Sequence, residues 1–354
     1  SAASDVYKRQ GDEIEFPEDG YQGEDIKDLA KEYADINGDS LVNVSAEERK
    51  KALVDYALPK NIKKMQADME KYKIFYDKWF FESELHKSGA VQAVVDLLTE
   101  KGLTYEKDGA VWYKNKEVLT QKLLKEGKSQ KYIDNLELKD DVLIRQNGNP
   151  TYFTADIAYH KNKFDRGFTT LIDVWGADHH GHVMRMKGAM DAIGYDGDKL
   201  NVVLMQLVKL VKDGELVRMS KRTGKAIQLG DLLDEVPVDS ARFLFNTKEA
   251  NTQMDFDLDL AVSQDNQNPV YYVQYAHARI CSIFKSLAKE GISPRECTDA
   301  ELALLTAPEE KELINHLASY TNEIISAAKD YDPTKVTRYV CLLYTSDAAD
   351  DMQC

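Results

Sequence analysis

The chain has 354 residues, 43% hydrophobic and 30% charged, with a formal net charge of −15 at pH 7. That length can bury two sizeable cores, and without an apolar run long enough to cross a bilayer the expected product is a soluble protein that needs no membrane. An acidic balance of this size argues against a nucleic-acid binder that works by bulk electrostatics, so any basic contact surface has to be concentrated on one face. Cys281, Cys297, Cys341 and Cys354 show neither metal spacing nor a disulfide framework, which fits a reducing compartment. Ser1 to Gln10 lacks the apolar segment of a secretion signal, and the expected address is the cytoplasm.

Both ends read as foreign. Ala2 to Gln10 can be encoded by a transposase adapter of the kind used in sequencing libraries, and the reverse complement of that adapter, read in another frame, gives Cys341 to Asp350. Residues 1–10 and 341–354 are therefore set outside the fold, and the rest is expected to be an internal stretch of a longer gene.

Phe16 to Ala34 begins as a Pro/Gly turn and continues as a helix, with Ile26, Leu29, Ala30 and Tyr33 at helical spacing. Ala46 to Asp55 and Lys60 to Phe80 are amphipathic, and their apolar stripe reads as core packing. Glu82 reads by itself as a solvated helix glutamate. Ala90 to Leu98 predicts a helix, Leu103 to Tyr113 a hairpin turning at Asp108-Gly109, and Asn115 to Asp141 a charged connector. Short apolar runs at Val142 to Arg145, Leu171 to Trp175 and Val202 to Val208 then alternate with helices at Asp156 to Phe164 and His182 to Ile193. This alternation predicts a parallel sheet covered by helices, in which ligands sit beyond the carboxyl ends of the strands. Asp213-Gly214 marks a turn. Asp231 to Phe245 is expected to be helical with Asp239 or Ser240 as its cap, and a long helix should follow Pro269, from Asn268 to Phe284. The remainder to Arg338 is helical by composition and interrupted at Pro294, Pro308 and Pro333.

Three stretches could carry chemistry. After the Asp213-Gly214 turn, Arg218-Met219-Ser220-Lys221-Arg222-Thr223-Gly224 and Lys225 gather positive charge, a hydroxyl and a glycine that permits close backbone approach, a combination suited to a polyphosphate. A lone basic loop is more often a solvated turn. Asp178-His179-His180-Gly181-His182 has the residue types of a Zn²⁺ or Mn²⁺ site, but neighbouring residues seldom converge on one ion. Tyr152 and Asp156 are four apart and share one side of a helix if it starts early enough; taken alone, Asp156 is an ordinary helix-start residue favoured by the dipole.

These stretches resemble a known family in order. Arg218 to Gly224 is similar to the KMSKS loop of class I aminoacyl-tRNA synthetases, in the KMSKR form of arginyl-tRNA synthetases. Gly148 to His160 (GNPTYFTADIAYH), Trp175 to Arg185 (WGADHHGHVMR), Phe256 to Ala261 (FDLDLA) and Asn268 to Ile280 (NPVYYVQYAHARI) resemble bacterial arginyl-tRNA synthetase as well, and the likeness covers about Phe16 to Tyr339. It implies an α/β fold, with a parallel Rossmann-like sheet forming the second half of a class I catalytic domain over residues 11–262 with its inserted segment. An all-α anticodon-binding domain would follow over residues 263–340.

The implied reaction joins L-arginine to ATP as the adenylate, releases pyrophosphate and esterifies tRNA(Arg), with Mg²⁺ entering on ATP and the enzyme acting as a monomer. Lys221 is the expected catalytic residue, closing on oxygens that gain charge as pyrophosphate leaves. Ser220 and Arg218 are expected to assist, Arg218 standing where the family has lysine, and Met219, Arg222 and Gly224 to complete the ATP loop. Glu82, Tyr152, Asp156 and His179 match arginine-binding positions, and no metal ligands are assigned. Some of Tyr271, Tyr272, Gln274, Tyr275 and His277 are expected to face tRNA. The HIGH motif of the family, whose histidines help hold ATP, does not occur in the sequence, so activation by this stretch alone is not expected. Two other readings remain open: a metal-dependent phosphoesterase built on Asp178 to His182, and a non-catalytic tRNA-binding module.

Overall fold

Residues 24–217, 227–265 and 267–345 are described by the computed structural model, and they belong to two units. One comprises Ser1–Phe75, Val208–Glu249 and Met254–Cys354, the other Tyr76–Leu207 and Ala250–Gln253. The cationic stretch from Arg218 to Lys225, with Met219, Ser220, Lys221, Arg222 and Gly224, lies outside the described residues, as do Phe16 to Gly23.

The first unit opens with α1 (Glu24–Asn37) and α2 (Ala46–Lys71). Ser45 caps α2 in a reciprocal box with Glu48, which satisfies two donors at the helix start. The two amphipathic segments expected here are one helix that runs through Pro59, and the chain beyond it up to Phe81 is not helical. The stripe is not core either. Val54, Leu58 and Met65 remain exposed, and the buried side chain of α2 is Arg49, whose guanidinium donates to the carbonyls of Leu41, Val42 and Val44.

The second unit runs α3 (Glu82–Lys87), α4 (Ala90–Glu100), β1 (Thr104–Lys107), β2 (Ala110–Tyr113), α5 (Asn115–Lys125), α6 (Gln130–Asn135), β3 (Asp141–Ile144), α7 (Tyr152–Asp165), β4 (Leu171–Gly176), a 3₁₀ turn (Ala177–His179), α8 (His180–Ile193) and β5 (Leu200–Met205). The β1–β2 hairpin turns at Asp108 and Gly109, both with positive φ (54° and 74°), which is the twist that a two-residue turn requires. The charged connector is in fact two helices. Leu119, Leu123 and Ile133 supply its buried side while the charges stay in solvent.

The sheet also departs from expectation. β3 pairs antiparallel with β2 and not with the parallel strands, so the parallel pair here is β4 with β5, in register from Leu171↔Leu200 to Gly176↔Met205. The core gathers Val94 and Leu98 of α4, Leu143 of β3, Ile157 of α7, Met186 and Met190 of α8 and Leu200 of β5. Burying each such side chain contributes about 1.5–3 kcal/mol. Parallel sheets are ordinarily covered on both faces, yet on β4 Leu171 and Asp173 are buried while Ile172 and Val174 are 49% and 61% exposed.

The run from Val202 to Val208 is not one strand. β5 ends at Met205, the Gln206 amide donates to Ala250, and β6 (Val208–Lys212) begins another sheet in the first unit. There β6 pairs antiparallel with β7 (Glu215–Leu216) through the Asp213-Gly214 turn, and parallel with β8 (Met254–Asp257). α9 (Leu229–Glu235) and α10 (Val238–Phe245) lie between them in sequence, and α11 (Leu258–Val262) follows β8. Leu210, Leu232, Val236, Ala241, Leu244 and Phe256 form the core of this part. The cap of α10 is Pro237; Asp239 sits in its first turn and Ser240 is buried inside the helix, so neither expected cap is used.

Four further helices follow: α12 (Pro269–Lys289), α13 (Asp299–Leu302), α14 (Pro308–Asp330) and α15 (Thr334–Thr345). Asn268 caps α12 by accepting from Val270 N. Of the aromatic-rich stretch on α12 only Val270 is buried, while Tyr271 and Tyr275 stack on each other at 6.4 Å. α14 and α15 are joined by His316 and Tyr339, with rings 4.3 Å apart and reciprocal side-chain to carbonyl hydrogen bonds. The expected domain boundary at residue 340 falls inside α15, where Cys341 is buried.

Candidate functional site

The stretch from Gly148 to His160 is a device for launching one helix. Gly148 takes a positive φ of 78°, Asn149 and Pro150 fold back on β3, and the Thr151 amide donates to Leu143. The Thr151 and Thr154 hydroxyls donate to the carbonyls of Val142 and Leu143 at 2.7 and 2.8 Å. Both threonines therefore tie the first turn of α7 to β3. Phe153, Ala155, Ile157 and Ala158 turn inward, which leaves Tyr152 and Asp156, one turn apart, on the outer side.

Those two residues border a cleft of about 370 Å³ lined by Tyr152, Phe153, Asp156, Trp175, His179, His182 and Arg185. Trp175 and His179 enter from the carboxyl end of β4 and the 3₁₀ turn after it, where parallel strands place ligands. Tyr152 is 78% exposed, so its ring is available to stack. The structure thus brings Tyr152, Asp156 and His179 together. Glu82 does not line this cleft; it starts α3 and faces His86 at 3.4 Å.

Sequence reasoning gave no role to Phe153, Trp175 and Arg185, and named His182 only within a possible metal cluster. His182 Nε2 donates toward Asp156 Oδ2 at 3.2 Å, and its ring packs edgewise on Phe153 and tilted on Trp175, with centroids 5.4 and 5.3 Å away. One turn along α8, Arg185 lies over the Phe153 ring at 5.0 Å and forks onto both oxygens of Asp141. Burial pushes the Asp141 carboxyl up, and Arg185 and His182 only partly offset it. Spacing shows only that His182 and Arg185, three apart, share one side of their helix.

Behind the cleft lies a buried charged chain. His160 faces an oxygen at each ring nitrogen, the Asp156 carbonyl 2.7 Å from Nδ1 and the Asp173 carboxylate at Nε2. Lys163 donates to the other Asp173 oxygen at 2.8 Å. Burial alone would raise the Asp173 carboxyl, but His160 and Lys163 hold it below the usual carboxylate range. A depressed folded pKa contributes stability that is present above the unfolded value, about 3.9, and is lost as pH falls through the folded one. Asp173→Ala is expected to destabilise the protein by about 3–5 kcal/mol, since it leaves the Lys163 ammonium and the buried His160 ring without their carboxylate. The same substitution should remove part of the acid-induced loss below about pH 4. Urea titrations at pH 7 and pH 3 check both; a difference between variant and parent that does not change with pH would contradict the assignment.

Among the described residues no three His, Cys, Asp or Glu side chains converge as a cation would require. Within Asp178 to His182, His179 lies 3.8 Å from the Asp178 carboxylate and edgewise on Trp175 at 6.5 Å, while His182 is turned to Asp156. What the cleft offers is one accessible carboxylate, aromatic faces and a neutralised arginine. That set suits a planar cation with several donors.

Comparison with known proteins bears on which cation. The model of the catalytic domain of class I tRNA synthetases (R) matches residues 19–281, and that of the DALR anticodon-binding domain matches residues 273–346. The arginine–tRNA ligase of Ruminiclostridium cellulolyticum is 52% identical over 330 residues, 93% of this chain and 56% of that protein. That of Caldanaerobacter subterraneus subsp. tengcongensis is 54% identical over 331 residues, with the same coverage of both. A crystal structure of a Campylobacter jejuni protein assigned as an arginyl-tRNA synthetase superposes with a TM-score of 0.77 at 32% identity, covering 98% of this chain and 70% of that one. The chain spans about half the length of the curated relatives it matches.

Proposed function

We propose, from the premise that this chain belongs to the class I arginyl-tRNA synthetase family, that the whole protein joins L-arginine to tRNA(Arg) with cleavage of ATP to AMP and pyrophosphate. Its fold is a class I catalytic domain followed by an all-helical DALR domain. In this reading Asp156 takes the guanidinium of the substrate in a charge-assisted pair, Tyr152 and Trp175 flank its plane, and His179 closes the rim. Lys221, with Ser220 and Arg218, neutralises the pyrophosphate that departs, and Met219, Arg222 and Gly224 shape the loop around ATP. Mg²⁺ enters on the nucleotide phosphates, the usual way for a cation that dehydrates reluctantly. Glu82 is kept as an arginine contact that would have to come from outside the cleft lining. The protein would act as a monomer in the cytoplasm; among the described residues no helix is long and apolar enough to cross a membrane.

The observation that carries this reading is the placement of Tyr152 and Asp156 on one face of α7 beside Trp175. Charging of tRNA by the whole protein tests it. Arginine is the expected substrate. Lysine, whose point-like ammonium cannot use a fork, and citrulline, which lacks the charge, are expected to be rejected. Equal charging with lysine would sink the proposal.

A further inference from the structure

Asp156 is not a free carboxylate. His182 Nε2 lies 3.2 Å from Asp156 Oδ2, and the imidazole is wedged between Phe153 and Trp175 with little exposure. A ring held on two sides by aromatics cannot swing away, so the hydrogen bond sets the rotamer of a carboxylate that is otherwise half in solvent. An ionised carboxylate accepts at about four positions. One donor from His182 therefore leaves Oδ1 and the remaining lone pair of Oδ2 aimed at the cleft.

We propose that His182 is a positioning residue that holds Asp156 for the guanidinium, and that its neutral form is the one competent to bind arginine. This rests on the assignment of Tyr152 and Asp156 to the arginine side chain. The neutral ring with its proton on Nε2 orients Asp156 without adding charge. A second proton would put a full positive charge beside a substrate guanidinium that cannot lose its own.

The charged groups around His182 do not alter this balance. Asp156 faces it from α7. Asp141 on β3 is matched by Arg185 on the helix of His182 itself. His179, from the 3₁₀ turn, packs on Trp175 at 6.5 Å, and so does His160 at 6.2 Å, which is committed to Asp173. Once the two ion pairs are set aside, Asp156 is the remaining carboxylate facing the ring, and it is the group the substrate needs.

The test is steady-state tRNA charging by the whole protein between about pH 5 and 8, the span in which imidazoles titrate, with arginine KM, ATP KM and kcat read separately. In the parent, arginine KM should rise as pH falls. His182→Phe keeps the aromatic packing and removes the donor; arginine KM should increase roughly tenfold or more, with kcat and ATP KM little changed. His182→Gln restores a donor that cannot take a second proton, and should recover most of that loss while flattening the acid rise in arginine KM. An unchanged arginine KM in His182→Phe, or an undiminished acid rise in His182→Gln, would overturn the proposal. Asp156→Asn run in parallel separates the two levels. If it too leaves arginine KM unchanged, the pocket assignment itself has failed; if it raises KM while the His182 variants do not, only the role of His182 is lost. Thermal melts of each variant exclude unfolding as the cause.

Discussion

Replacing Lys221 with alanine in the whole protein is expected to lower the rate of arginyl-tRNA formation by about 10²- to 10³-fold, with a much smaller change in ATP KM. Adenylate formation breaks the bond between the α- and β-phosphates, so charge on the leaving pyrophosphate grows toward the transition state. A fixed donor aimed at that charge lowers the barrier by a few kcal/mol, and deleting one costs about two to three orders of magnitude. Because the interaction strengthens as the reaction proceeds, the loss appears in kcat more than in ground-state binding. Both flanks of the cationic stretch are anchored: the β6–β7 hairpin precedes it, and α9, with Leu232 and Leu233 in the core, follows it. Single-turnover adenylate formation checks the claim. A variant that charges tRNA at the parental rate would remove the cationic loop from the chemistry.

Asp156→Ala is expected to act on the other substrate. The alanine leaves the guanidinium without its carboxylate in a partly enclosed cleft, a loss of about 2–4 kcal/mol, or a rise in arginine KM of roughly 30- to 1,000-fold. kcat at saturating arginine should fall less, because the side chain of the substrate is remote from the carboxyl that reacts. Direct titration of arginine by calorimetry gives the same number without catalysis, and affinity within about threefold of the parent would contradict the pocket assignment.

How far the sequence alone reveals these features differs from element to element. The Asp108-Gly109 and Asp213-Gly214 turns are readable because the local φ demand is written in two residues. The start of α7 is not, and the sequence pattern puts it four residues late, at Asp156 rather than Tyr152. Tyr152 to Ala155 carries aromatic and β-branched residues that suit a strand equally well, and what makes it helix is the bonding of Thr151 and Thr154 to β3, a tertiary fact. The segment 115–141 reads as a connector because lysines and glutamates outnumber the three apolar residues that α5 and α6 bury. Neither the break at Gln206 nor the partner of β3 can be read from composition, since hydrophobic runs do not say which ladder they join. In the site, Tyr152 and Asp156 could be paired because four residues along one helix is a local distance. His182 and Arg185 enter the same cleft only because α8 lies against α7, and no spacing rule reports that.

The open face of the β4–β5 pair has a practical consequence. Ile172 and Val174 present a ridge of aliphatic groups on strands whose outer edges are not laddered among the described residues. Such a surface invites strand addition from any neighbour that supplies a matching extended segment. Handled by itself at high concentration, the chain is therefore expected to pair with other copies along these edges, burying the aliphatic ridge beside them.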